Sequence, residues 1–150
     1  MPKPLKIVET SLQEALVDLV DLALQGKQAH WNLHGPHFRA IHLQLDEIVA
    51  EARAASDAVA ERLVATGGTP DARPSTVAES SGLEPFEGGP VATDKVVRQF
   101  EERLQTTSDR IKGHLDALDE KDHLSADLLT GVALGLEKQA WMLRATADEV

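Results

Sequence analysis

The 150-residue chain contains no cysteine, and that absence removes disulfide staples and thiolate metal sites together. Any bound metal must then rest on imidazole and carboxylate, a donor set that suits iron and leaves zinc and manganese open. No apolar run approaches the roughly 20 residues of a membrane span. The N-terminus, MPKPLKIVE, lacks the charged-then-apolar pattern of a signal segment. The expectation is a cytoplasmic protein with no membrane attachment. Cationic residues are also few: 15 Lys and Arg stand against 25 Asp and Glu, for a formal charge of −10. A body of that sign repels DNA and anionic lipid and attracts cations.

Proline is missing from four long segments, all 7 prolines falling outside them, and each segment carries apolar residues at three- and four-residue steps. The first runs from about Lys6 to His34, with Leu12, Leu16, Leu19 and Ala23 on its apolar side, and closes at Gly35-Pro36. The second runs from Phe38 to about Thr66 and stops at Gly67-Gly68. So short a turn packs these two helices antiparallel. A third begins near Thr93, read as its N-cap, and continues to about Asp119. A fourth runs from near Leu124 to the C-terminus, with Trp141 read as a packing residue and Gly131 and Gly135 either allowing a close helix contact or merely weakening the helix. Between Gly67 and Val91 lies a connection rich in Gly, Pro and Ser, with one short helix expected near Thr76 to Ser80. A connection of that length can run the full height of a bundle and let the second and third long helices start at the same end. The expectation is a single all-α domain over residues 1–150, a four-helix bundle with a long crossover between its second and third helices that carries the short extra helix, and no strand of convincing alternation.

Within the second helix, His42, Asp46, Asp57 and Glu61 fall at roughly 0, 40, 60 and 100° around the axis, one stripe beside the apolar one. They share a face and not a location, because His42 and Asp57 are about 22 Å apart along the axis. A two-fold axis between the pairs would set His42 and Asp46 of one copy against Asp57 and Glu61 of another, which predicts two equivalent sites between subunits. His30 lies just before the turn and joins His42 at a similar height.

The pattern AHWN (Ala29 to Asn32), followed by His42, Asp46, Asp57 and Glu61 in register and by LEKQAWML near the C-terminus, resembles the Dps family of ferritin-like mini-ferritins along essentially the whole chain. The resemblance implies an intersubunit ferroxidase centre with His30, His42, Asp46, Asp57 and Glu61 as iron ligands. It implies a hollow dodecamer that stores the oxidised mineral, with hydrogen peroxide or oxygen as oxidant and DNA protected indirectly. Trp31 resembles the family's tryptophan beside the centre, an electron source that quenches stray radicals. Asp122 and Asp127 resemble the aspartates of the family's pores; the competing reading is that acidic residues near a helix start simply answer its dipole.

Other readings belong beside these. Asp57 and Glu61 at i and i+4 also describe a solvated face, and Trp31 also reads as a core aromatic. His34 and His37 lie close to the site and offer a second ion position, or are ordinary polar loop residues. Glu120-x-x-His123 is the one Glu-x-x-His motif, and it falls at a helix junction, which argues against a dinuclear centre inside one subunit. An alternative function is structural DNA binding and condensation. That activity rests on cationic arms, whereas this chain offers only Lys3 and Lys6 at its start and ATADEV at its end.

Overall fold

The computed structural model describes residues 2–147. The elements are α1 (Lys6–Asn32), β1 (Leu33–His34), α2 (Phe38–Ala65), α3 (Pro74–Ser80), β2 (Val91–Ala92), α4 (Thr93–Asp119) and α5 (His123–Ala147). Both long-helix pairs, α1 with α2 and α4 with α5, pack along their lengths, and α1 also meets α4. One buried cluster joins all four long helices; Leu12, Leu19, Leu45, Phe100, Leu104 and Leu129 are completely enclosed within it. Burying side chains of that size contributes about 1.5–3 kcal/mol each, which makes the apolar stripes the main reason for the fold.

The two short strands were not expected. Leu33 pairs in parallel with Val91 and His34 with Ala92. Each strand is two residues long, too short for any alternation to show in sequence. The bridge has two consequences. It ends α1 at Asn32 rather than His34, and it fixes the end of the crossover beside the α1–α2 turn, so that α2 and α4 begin at the same end of the bundle. Ala92, not Thr93, occupies the N-cap position of α4, with no side-chain cap hydrogen bond. Thr93 is instead the first helical residue, 1% exposed, and its hydroxyl oxygen has no hydrogen-bond partner.

The crossover is held by polar contacts at successive heights. Gln13 exchanges hydrogen bonds with the Asp71 backbone, donating at 2.7 Å and accepting at 3.0 Å. Asp18, 1% exposed, accepts from the Gly82 amide at 2.8 Å and from Arg110 Nε at 2.7 Å. Arg103 donates to Gln25 at 2.6 Å and to the Glu84 and Pro85 carbonyls at 3.2 and 3.1 Å. Gly82 leaves room for the Arg110 guanidinium, since a Cβ there would lie 2.3 Å from Arg110 Nε and push that side chain aside. The stop after α2 follows the expected logic: Gly67 adopts φ 91°, a left-handed value that glycine enters without steric cost.

In α5 one expectation is corrected and one pair of alternatives is narrowed. Trp141 is 58% exposed, because the helical register that turns Leu136, Ala140 and Leu143 inward carries residue 141 outward. Gly131 and Gly135 mediate no close helix contact among the described residues; a Cβ at Gly131 would meet nothing within 4 Å, and one at Gly135 only Glu51 Oε2 at 3.7 Å. Residues 148–150, the end of the expected fourth helix, lie outside the described range. No helix is long and apolar enough to cross a membrane among the described residues.

Candidate metal centre

The α1–α2 turn brings His30 and His42 face to face, with ring centroids 3.6 Å apart and planes 14° from parallel. Each ring is pinned by the other residue's backbone: His30 Nδ1 donates to the His42 carbonyl at 2.8 Å, and His42 Nδ1 donates to the His30 carbonyl at 2.9 Å. A carbonyl only accepts, so both Nδ1 atoms carry the proton and both Nε2 atoms are left with a lone pair. That is the tautomer a metal ion requires, fixed by the kind of backbone partner that orients metal-bound histidines. Phe38 stacks on the other side of His42 at 5.0 Å, walling the pair, and His30 is itself buried at 8% exposure.

Asp46, one turn beyond His42, places Oδ1 3.6 Å from His30 Nδ1. Its Oδ1 also contacts Lys27 Nζ, and the hydrogen bond from Lys27 holds this carboxyl below the ordinary carboxylate range. Lys27 was not foreseen. The available signal was its spacing, three residues before His30 and therefore on the same helix face.

Asp57 and Glu61 stand at the far end of α2, exposed, about 22 Å along the axis from His42 for the nearer of them. The structure thus gathers His30, His42 and Asp46 and leaves the other two candidates apart. Among the described residues of one chain, no three His, Cys, Asp or Glu side chains converge to hold a metal ion. Trp31 is 69% exposed, which removes the core-aromatic reading. His34 and His37 are exposed on the turn.

Asp122 caps the start of α5. It accepts from Arg62 Nη2 on both oxygens at 2.9 Å and from the Ser125 amide at 3.3 Å. Burial pushes its carboxyl up, but the Ser125 and Arg62 hydrogen bonds outweigh this and leave it below its ordinary value. Asp127, one turn on, is exposed. Nearby, His123 Nδ1 bonds Asp119 at 2.6 Å, and that carboxylate raises the imidazole above its usual value. Because α4 ends at Asp119 and α5 starts at His123, Glu120 and His123 do not share a helix.

Against known proteins, a family model described as a ferritin-like domain matches residues 9–150. DNA protection during starvation protein 1 of Deinococcus radiodurans is 37% identical over 98% of this chain and 72% of its own length. The chain belongs to the Dps family of ferritin-like proteins. Solved Dps structures agree in fold. Dps92 from Deinococcus radiodurans superposes with a TM-score of 0.91 at 32% identity, covering 93% of this chain and 85% of that one. A Dps from Microbacterium arborescens, solved in a high iron form, gives 0.89 at 32% identity, covering 93% of this chain and 91% of that one.

Proposed function

We propose that this Dps protein oxidises Fe(II) to Fe(III) at sites between two-fold-related copies and stores the product as mineral inside a hollow cytoplasmic oligomer, a dodecamer. The observation that carries the reading is the reciprocal pinning of His30 and His42, which readies two Nε2 lone pairs at the end of α2. Iron is the substrate here. The histidines and Asp46 of one copy supply one side of its site, and Asp57 and Glu61 of a second copy supply the other. Two Fe(II) ions release one electron each; hydrogen peroxide takes both with two protons and becomes two waters, so no hydroxyl radical is set free. Removing peroxide and Fe(II) together protects DNA without touching it. Oxygen is the slower oxidant in this scheme. Trp31, next in sequence to His30, is the residue positioned to give up an electron when only one iron is present.

The negative body supports cation entry. Asp127, exposed at the start of α5, is the pore residue we assign, with Asp122 contributing less because Arg62 already holds both its oxygens. Direct DNA coating is not proposed for a chain of net charge −10; a low-salt gel shift should show no retardation.

The decisive experiment mixes two inactive variants. His42→Ala and Glu61→Ala should each abolish rapid oxidation. Re-annealed together they should recover part of it, because one interface in a mixed pair loses both groups at one site and neither at the other. No recovery, with mixing confirmed by native mass, removes the intersubunit assignment. The same native mass spectrum checks for a closed assembly of twelve chains.

A further inference from the structure

Between α2 and α5 a groove of about 450 Å³ runs over Leu19, Leu128, Val132 and Leu136 and past Gly131 and Gly135. Packing requires neither glycine: a Cβ at Gly131 would meet nothing within 4 Å, and one at Gly135 only Glu51 Oε2 at 3.7 Å. Glycine weakens a helix interior, and what the pair supplies here is an unfilled apolar channel. A carboxylate stands toward each end of it. Glu51 is held from behind, its Oε1 accepting from Gln139 Nε2 at 2.9 Å. Gln139 is 2% exposed, and its own Oε1 accepts from Gln44 Nε2 at 3.2 Å, which fixes the amide's orientation. Glu51 Oε2 is thereby left over Gly135. Asp127 lies two turns earlier on α5, about 12 Å along the axis. Neither carboxylate has an ion-pair partner among the described residues; His123, one turn before Asp127, bonds Asp119 instead.

We infer that this groove binds a linear aliphatic diamine, with one ammonium on Glu51, the other on Asp127 and the methylene chain lying across Gly131. The lining excludes other classes of ligand. An anion would meet two unpaired carboxylates, and a wholly apolar molecule would shield them from water with nothing to bond. One metal ion cannot reach both across about 12 Å, and no third His, Cys, Asp or Glu joins either of them among the described residues. A dication with an apolar middle answers every part: charge-assisted hydrogen bonds at its two ends and apolar burial between them. The iron ligands named above do not line the groove, although Asp127, assigned above to cation entry, forms one end of it.

The test is calorimetric titration of the intact, metal-free protein with octane-1,8-diamine, whose extended chain matches the distance between the two carboxylates. Wild type should bind one per chain. Octylamine, with a single ammonium, and butane-1,4-diamine, too short to reach both ends, should each bind at least tenfold more weakly. Glu51→Gln keeps an oxygen for Gln139 but loses the charge, and should lower affinity for octane-1,8-diamine at least tenfold, to the level of octylamine. Gly131→Leu fills the channel and should abolish binding of both long amines with helicity unchanged. Butane-1,4-diamine and Mg(II) binding as tightly as octane-1,8-diamine overturns the inference, because the net negative charge of the protein would then be gathering cations without a channel. Unchanged affinity in Glu51→Gln, binding that survives Gly131→Leu, or no saturable binding in wild type overturns it as well. None of these outcomes bears on iron oxidation, which the mixing of inactive variants tests separately.

Discussion

The two ends of α2 carry carboxylates of the same kind in different states of preparation. At the N-terminal end, Asp46 sits against Lys27 beside two histidines whose rings are stacked and bonded to each other's backbone. At the C-terminal end, Asp57 and Glu61 project from an exposed face. One end is built by its own chain; at the other, Asp57 and Glu61 have no ion-pair or side-chain hydrogen-bond partner among the described residues. On the function proposed above, the two ends would be complementary half-sites, imidazole nitrogen at one and carboxylate oxygen at the other, completed only where two copies meet.

The sharpest break in that comparison comes from the built end. His30→Ala or His42→Ala should lower iron oxidation on the order of 100-fold or more. His42→Ala should also cost about 1–3 kcal/mol of stability by leaving the His30 carbonyl, in the last turn of α1, without its imidazole donor, measured by denaturant unfolding of the metal-free protein; His30→Ala should cost less, because the His42 carbonyl lies within α2 and keeps its helical partner. At the open end, Asp57→Asn or Glu61→Gln should cut oxidation while changing metal-free stability by no more than about 0.5 kcal/mol, as for surface residues generally. Equal destabilisation at the two ends would erase the distinction. A third contrast concerns the Arg62–Asp122 pair that ties α2 to α5. Asp122→Asn keeps a capping side chain but gives up the charge, at a cost of about 1–2 kcal/mol at neutral pH. The folded carboxyl lies below its ordinary value, so its contribution is complete above about pH 4 and disappears as pH falls through the folded value; wild type and variant should converge in acid. The smallest effect is expected at Thr93. Its buried hydroxyl has no partner, so Thr93→Val should leave melting unchanged or raise stability by up to about 0.5 kcal/mol.

The long helices were legible because their evidence is local: a repeat of apolar residues and a Gly or Pro at each break. The His42, Asp46, Asp57, Glu61 stripe was legible for the same reason, since helical geometry converts spacing into direction. What could not be read involves partners far apart in the chain. Lys27 meets Asp46 across the turn, Arg62 meets Asp122 across 60 residues, and the Leu33 to Val91 bridge joins segments that carry no strand pattern at all. Trp141 shows a different kind of difficulty. Its size argues for burial, and only the register set by Leu136, Ala140 and Leu143 shows that it faces out.

The reciprocal hydrogen bonds of His30 and His42 also bear on how such a chain can change over generations. On the function proposed above, each imidazole would both ready a ligand and close the corner between α1 and α2, so a substitution that discards the ligand would also loosen the corner. A descendant that abandoned iron would first need a side chain, such as asparagine or glutamine, that still offers an N–H to the opposite carbonyl. Drift away from metal chemistry is thus channelled through a few amide replacements, and a relative carrying them at both positions would be recognisable as a lineage that kept the fold after giving up the site.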